Sequence, residues 1–452
     1  MRTSYHLCVL FLLLGLAVLH VSPAQQKTPS PPNIIYIMID DLGYGDLGCY
    51  GSTINGTPHI DRLAAEGMRF TDFHSNGPMC TPTRAAFMTG LYQHRFGAKF
   101  EGAISAKRDS DDGLPLEAMT IAEVLNDAGY ATGMYGKWHL GFFPPLLPAD
   151  QGFDDFIGLG SGDGDHHTHI NRWGREDWWH NNELAMEEGY TTDLITDHSV
   201  EFIREHKNEP FFLFVSHLAI HFPWQGPQDP PQRQVGEDYT NDKWGILPDR
   251  NNIAPHVKAM LESVDDGVGK IMHTLQELDL DSNTLVIFTS DNGGYTHYGD
   301  THFNISSNGP LRGQKTEVYE GGHRVPFIAR WPSRIPAGSE SEALAMTMDM
   351  FPTFLEFARL EPDSLTLDGI SLRSHLLDRT PVPERALCWK IDDERAIRKG
   401  QWKLVMVNDN EPELYDLSID IAEAKNVAAQ NPDIVRRLMH EYQSWETDVL
   451  AQ

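Results

Sequence analysis

Ile34-Ile35-Tyr36-Ile37-Met38-Ile39-Asp40-Asp41, residues 34–41, is the stretch from which the fold is read. Six apolar residues, mostly β-branched, run together without the alternation of a half-exposed strand and are too few for a buried helix. They predict a strand covered on both faces. Two runs share that character. Phe211-Phe212-Leu213-Phe214-Val215-Ser216 leads to His217 and His221, and Thr284-Leu285-Val286-Ile287-Phe288-Thr289 leads to Ser290-Asp291-Asn292-Gly293-Gly294. Helical periodicity lies around Ile60 to Glu66, Thr120 to Ala128, Thr191 to Arg204 and Val257 to Leu278. Strands alternating with helices predict an α/β fold, in which polar sites collect outside the carboxyl ends of the strands. Each of the three runs delivers polar residues at that end.

Farther along, Met350 to Phe357 reads as one more apolar helix, and 362–383 as loop. Trp402 to Val407 and Leu414 to Leu417 read as strands of a smaller antiparallel sheet, followed by a helix from Pro432 to about Thr447. The expected division is a catalytic domain at 30–377 and a C-terminal subdomain at 378–452. Gly158 to His180, rich in Gly, Asp, His and Trp, reads as a functional loop. At the other end, Arg2, the apolar run Leu7 to Val21 and the small residues Ser22-Pro23-Ala24 read as a secretory signal peptide over 1–26. The protein is therefore expected to be exported, to the periplasm or the medium (lysosomal in an animal host), with no stable membrane anchor after cleavage.

The 452 residues carry 36 Lys and Arg against 65 Asp and Glu, a formal charge of -29. Loss of Arg2 with the leader makes it more negative still. That balance argues against a nucleic-acid partner, which needs a basic stripe to displace counterions. Four cysteines, one of them in the leader, are too few for a disulfide framework. Cys49 and Cys388 remain open between a pair and two unpaired thiols.

Asp40, Asp41, Asp291 and Asn292 offer only oxygen, a donor set that suits Ca²⁺ or Mg²⁺ rather than Zn²⁺. Crowded carboxylates without a cation would have to stay partly protonated. In Gly136-Lys137-Trp138-His139, an extended backbone would point Lys137 and His139 to one side. A helix starting at Pro82 or Thr83 would place Cys80 at its positive end, four residues ahead of Arg84. Lys315 lies upstream of Tyr319-Glu320-Gly321-Gly322. His217 and His221 lack the Glu of a zinc helix, and Pro223 argues against a helix there. His166, His167 and His169 read as loop rather than metal ligands.

Taken together, Asp40-Asp41-Leu42-Gly43-Tyr44-Gly45-Asp46, Cys80-Thr81-Pro82-Thr83-Arg84 with Thr89-Gly90, Gly136 to Gly141, Ser290 to Gly294 and Lys315 with Tyr319 to Gly322 resemble a type I sulfatase, arylsulfatase-like, of the alkaline phosphatase superfamily. The resemblance spans nearly all of the chain after the leader. It implies a mixed central sheet flanked by helices, with a smaller C-terminal antiparallel sheet and helix. It also implies conversion of Cys80 to formylglycine by a maturation enzyme, and Ca²⁺ held by Asp40, Asp41, Asp291, Asn292 and an oxygen of the modified Cys80. Arg84 would hold the formylglycine hydrate, Lys137 and Lys315 the sulfate, and His139 the hydrate hydroxyl. His221 would face the leaving alcohol, while His217 is given no role. The implied reaction is hydrolysis of a sulfate monoester, on an aryl group or a small sulfated saccharide, to alcohol and inorganic sulfate. A phosphodiester or phosphonate monoester hydrolase using the same site is the alternative. A binding protein that has kept the fold would be marked by an intact thiol at residue 80.

Overall fold

Asn33–Ile39 lies near the centre of a ten-stranded sheet. The computed structural model describes residues 31–244, 252–361 and 365–451; the expected leader lies outside them. Asn33–Ile39 pairs in parallel with Phe211–His217 on one side and Thr284–Ser290 on the other. Ala131–Lys137 and Asp155–Leu159 continue the parallel order beyond Phe211–His217. On the opposite side Phe327–Arg330 runs antiparallel to Thr284–Ser290, and Met68–Phe70 pairs antiparallel with it in turn, which makes the sheet mixed. The expected fold is the observed one.

Why the strand is apolar without interruption is visible in what covers it. Ile34, Tyr36 and Met38 face one core with Phe87 and Phe354, whereas Ile35, Ile37 and Ile39 face another with Val264, Val268 and Ile271. Helices Cys80–Thr89 and Met350–Phe357 carry residues of the first core; Thr191–Glu205 and Ala254–Glu277 carry residues of the second. Tyr36 stacks on Phe87 with ring centroids 4.1 Å apart. Full burial of one such side chain stabilises by about 1.5–3 kcal/mol, so a polar residue at either parity would be strongly unfavourable.

The C-terminal sheet has four antiparallel strands, Ala386–Ile391, Glu394–Lys399, Trp402–Val407 and Glu413–Asp416. Helix Pro432–Leu450 covers it through Leu438 and Tyr442. The first two strands escaped the sequence reading because Lys390, Glu394, Arg395 and Arg398 interrupt their apolar pattern. Buried ion pairs tie this sheet to the larger one. Arg398 reaches Asp72 at 2.7 Å and Lys403 reaches Glu320 at 2.9 Å, while Glu423 of the C-terminal part also pairs with Lys403 at 2.9 Å. The expected division between 377 and 378 falls in the last turn of helix Arg373–Asp378. Cys49 is half-buried, Cys388 is buried, and both are free thiols. No helix among the described residues is long and apolar enough to cross a membrane.

Candidate active site

Strand register assembles the site. Ile39 sits opposite both Ser290 and His217, and Gly136 opposite Ser216, so four parallel strands end in one layer. Asp40-Asp41, Asp291-Asn292 and Lys137 leave from that edge. Asp41 takes a left-handed backbone (φ 64°), the turn that breaks strand alternation and lets two successive aspartates serve one site. Gly293 is needed because a Cβ there would lie 1.8 Å from the Gly321 carbonyl oxygen. The two Gly-Gly motifs are thus packed against each other.

Helix Cys80–Thr89 begins earlier than expected, with Cys80 itself in the first turn and Pro82 third. Proline is tolerated there because the first N–H groups of a helix have no intrahelical acceptor. The thiol, a carboxylate oxygen of Asp40 and one of Asp291 all lie within 4.8 Å of one another, and all three residues are buried. Four residues on, the buried Arg84 guanidinium donates from Nε to Asp291 Oδ2 at 3.0 Å. From Nη1 it donates to the Lys137 carbonyl at 2.7 Å and to Ser216 Oγ at 2.6 Å. Its Nη2 lies 2.9 Å from Asp291 Oδ2 but makes no aligned hydrogen bond, so one donor remains uncommitted.

Lys137 pairs with Asp40 and Lys315 with Asp41, both in closed contact and out of solvent. Asn292 Nδ2 donates to Asp41 Oδ1 at 2.9 Å. Burial raises the Asp40 carboxyl well above its usual range, and the neighbouring Asp291 adds to the rise. Burial pushes Asp291 upward too, but Arg84, Lys137 and Lys315 outweigh it and hold that carboxyl down. Burial opposes the charge on Lys315, and Asp41 more than restores it. Asp40 Oδ1 and Asn292 Oδ1 are buried without any hydrogen-bond donor. Two orphaned hard oxygens beside two further carboxylates fit a cation of the Ca²⁺ or Mg²⁺ type.

His139 does not continue the strand. Its φ is 60°, and the strand ends at Lys137, so the expected extended pairing of the two side chains is corrected to a turn. His139 Nε2 donates to the Ile104 carbonyl at 2.9 Å, which fixes the neutral tautomer and leaves Nδ1 with a lone pair and no protein partner. Burial, then Lys137, lowers its pKa well below the usual histidine value. His221 Nδ1 donates to the Phe222 carbonyl at 2.7 Å, and its Nε2 lies 4.0 Å from Asp41 Oδ2. His217 is fully buried with neither ring nitrogen hydrogen-bonded, and burial lowers its pKa to about 3.

A cavity of about 380 Å³ opens onto Cys80, His139, His221 and Lys315. Its wall comes partly from the loop at Gly158 to His180, through Gly162, Asp163, Arg172 and Trp173. The loop histidines do not converge on one point. His166 Nε2 donates to the His221 carbonyl at 3.2 Å, and His169 stacks on Trp178 at 4.4 Å. Sequence reasoning missed Ser216, which braces Arg84, and Tyr295, whose ring centroid lies 5.3 Å from the Lys315 ammonium. Ser216 was findable as the last residue before His217 at a strand end; Tyr295 carried no signal. His74, Glu320 and His323 also cluster, but Lys403 donates to Glu320 and touches His323 at 3.1 Å, so a cation of the chain already fills that place.

This geometry agrees with what the chain resembles. The sulfatase family model matches residues 32–360, and that of the C-terminal region of N-sulphoglucosamine sulphohydrolase matches 314–447. An N-acetylgalactosamine-6-O-sulfatase of Bacteroides thetaiotaomicron is 31% identical over 96% of this chain and 98% of its own length. Human arylsulfatase A is 32% identical over 90% of this chain and 86% of its own. Among solved structures, Ps i-CgsB in complex with k-i-k-neocarrahexaose superposes with a TM-score of 0.81 at 30% identity, covering 92% of this chain and 93% of that one. Membership in such a family implies a formylglycine and a divalent metal. The chain belongs to the sulfatase family and is a sulfuric ester hydrolase of the alkaline phosphatase superfamily.

Proposed function

We propose that the mature protein is exported, carries formylglycine at residue 80 beside a Ca²⁺ ion, and hydrolyses a sulfate monoester of a saccharide. The observation that carries the reading is the buried convergence of Cys80, Asp40 and Asp291, with Cys80 lining a cavity. A formylglycine hydrate supplies one hydroxyl to attack sulfur and a second on the same carbon to expel sulfate, which a thiol lacks. Asp40, Asp41, Asp291, Asn292 and an oxygen of residue 80 would hold the cation, whose charge makes that hydroxyl more acidic.

The chain's own groups divide the remaining work. Arg84 is locked by Asp291 and Ser216, and its uncommitted Nη2 donor would serve the hydrate at residue 80. Lys137 and Lys315 offset charge on the sulfuryl oxygens. His139 Nδ1, kept unprotonated by the Ile104 contact of Nε2, accepts a proton from the residue-80 hydroxyl. His221 gives a proton from Nε2 to the departing ester oxygen. Burial, Lys137 and Lys315 disfavour that proton in the free enzyme, and the negative sulfate group restores it on binding. Water is consumed, the S–O ester bond breaks, and the alcohol and sulfate leave.

A saccharide substrate is inferred from the relatives named for N-acetylgalactosamine 6-sulfate and from the hexaose-bound structure. Cys80 is only 2% exposed, so the maturation enzyme has to reach it before the chain folds. Mass spectrometry of the residue-80 peptide from enzyme made in a competent host should find the aldehyde or its hydrate. Elemental analysis should find calcium, and sulfate esters should turn over faster than matched phosphate esters. An intact thiol in fully active enzyme, or stoichiometric zinc without calcium or magnesium, would refute the reading.

A further inference from the structure

Three cations that line the cavity have no part in the chemistry above; Arg108 pairs with Asp109 at 3.2 Å, which leaves Arg172 and Lys243. Lys243 lies in a cage of aromatic rings, its ammonium 4.5 Å from the Trp244 centroid, 5.1 Å from Tyr298 and 5.5 Å from Phe222. It donates to the Tyr298 hydroxyl at 3.2 Å, and no carboxylate among the described residues pairs with it. Arg172 lies 5.3 Å from the same Phe222 ring. It donates from Nε to Asp163 at 3.0 Å, but Asp163 is shared with the buried Arg233, also at 3.0 Å. One carboxylate between two guanidiniums leaves an excess positive charge. Both Arg172 and Lys243 line the cavity that holds Cys80 and His221.

In a chain of formal charge -29, a local surplus of positive charge beside a catalytic floor is unexpected unless something negative arrives there. The scissile sulfate is matched deeper, by Lys137 and Lys315. Phe222, Tyr298 and Trp173 line the same cavity and hold the two cations against it.

We propose that Lys243 and Arg172 form a second anion subsite, so that the preferred substrate is a saccharide with a further anionic group, sulfate or carboxylate, on the sugar next to the one cleaved. The inference rests on the saccharide sulfatase reading above and deepens it. The subsite selects by differential binding: a neutral neighbour leaves Lys243 with the Tyr298 hydroxyl and the ring faces alone, whereas an anion forms a charge-assisted contact.

The test uses three disaccharides ending in N-acetylgalactosamine 6-sulfate: one linked to galactose, one to sulfated galactose and one to glucuronate. Affinity is measured by calorimetry on the full mature chain bearing Cys80→Ala, which cannot turn over, and sulfate release on the unsubstituted enzyme. At least one charged neighbour should bind about tenfold more tightly than the neutral one, equivalent to about 1.4 kcal/mol. Lys243→Met should collapse that ratio toward one, Lys243→Arg should retain most of it, and Arg172→Gln should reduce it. Whichever charged arm shows the preference distinguishes sulfate from carboxylate. Equal affinity for all three disaccharides, or a preference that survives both Lys243→Met and Arg172→Gln, overturns the subsite. Selective binding without sulfate release from any disaccharide supports the subsite and overturns the hydrolytic reading instead.

Discussion

Lys315→Met removes a charge while keeping most of the stem that fills its place, and its consequences can be worked separately for catalysis and stability. The Lys315 side chain is 2% exposed, rests on Asp41, and has its ammonium 5.3 Å from the Tyr295 ring centroid. An ammonium about 4 Å from a unit negative charge contributes about 4 kcal/mol at an effective dielectric of about 20. Only the part that strengthens as charge develops on the sulfuryl oxygens and leaving group appears in kcat. Loss of one preorganised donor of this kind costs about 3–4 kcal/mol, or about 10²–10³-fold. Stability should fall less, by about 1–3 kcal/mol, because Asp41 keeps Asn292 at 2.9 Å. The measurement is kcat/KM on the best sulfate ester, with thermal unfolding of the same preparations, across a salt series. Long-range repulsion by the -29 chain is screened within about 8 Å at physiological ionic strength, so wild-type kcat/KM should stay level or rise as salt is added. An unchanged kcat/KM in Lys315→Met would remove Lys315 from the sulfate site, and a steep fall of the wild-type rate with salt would show that attraction governs approach.

Gly162→Ala should lower kcat by about tenfold or more with little change in unfolding temperature, since a Cβ would lie 2.3 Å from His139 Cε1 and must displace the imidazole; wild-type kcat in the variant would contradict the placement of His139. Asp291→Ala should lower both metal content and turnover, because it removes a ligand and frees Arg84 at once; full metal occupancy by elemental analysis would exclude Asp291 from the shell. Asp72 is lowered to about 2, burial raising it but Arg324, Arg398 and His74 together prevailing. A depressed carboxylate contributes stability that is present above its unfolded value of about 3.9 and is lost as pH falls toward 2, here about 2–3 kcal/mol. Asp72→Asn should therefore be less stable than wild type at pH 6, with a gap in urea midpoint that narrows between pH 4 and 2; a gap independent of pH would show that the Arg398 contact is not electrostatic.

The sequence by itself determined the three buried strands and the family. Continuous apolar runs such as Ile34 to Ile39 can be satisfied only by cover on both faces, and Asp40, Asp41, Asp291 and Asn292 follow those runs directly in the chain, whereas Cys80 and Arg84 were legible from their own motif, Cys80-Thr81-Pro82-Thr83-Arg84, and the family it resembles. Local signals were less reliable at boundaries: the helix expected to start at Pro82 or Thr83 starts at Cys80, because tolerance of proline in a first turn does not say which of its first residues it occupies. What only the tertiary structure decided depends on contacts between distant segments. The register of Ile39 against Ser290 and His217 brings residues some 250 apart to one edge. Ser216 bracing Arg84, the Ile104 carbonyl setting the His139 tautomer, and Lys243 and Arg172 each lying against the Phe222 ring leave no periodic trace in the chain. Hydrophobic pattern is a one-dimensional record of which face is buried, whereas a hydrogen-bond partner or an excess charge is fixed only when packing chooses the neighbour.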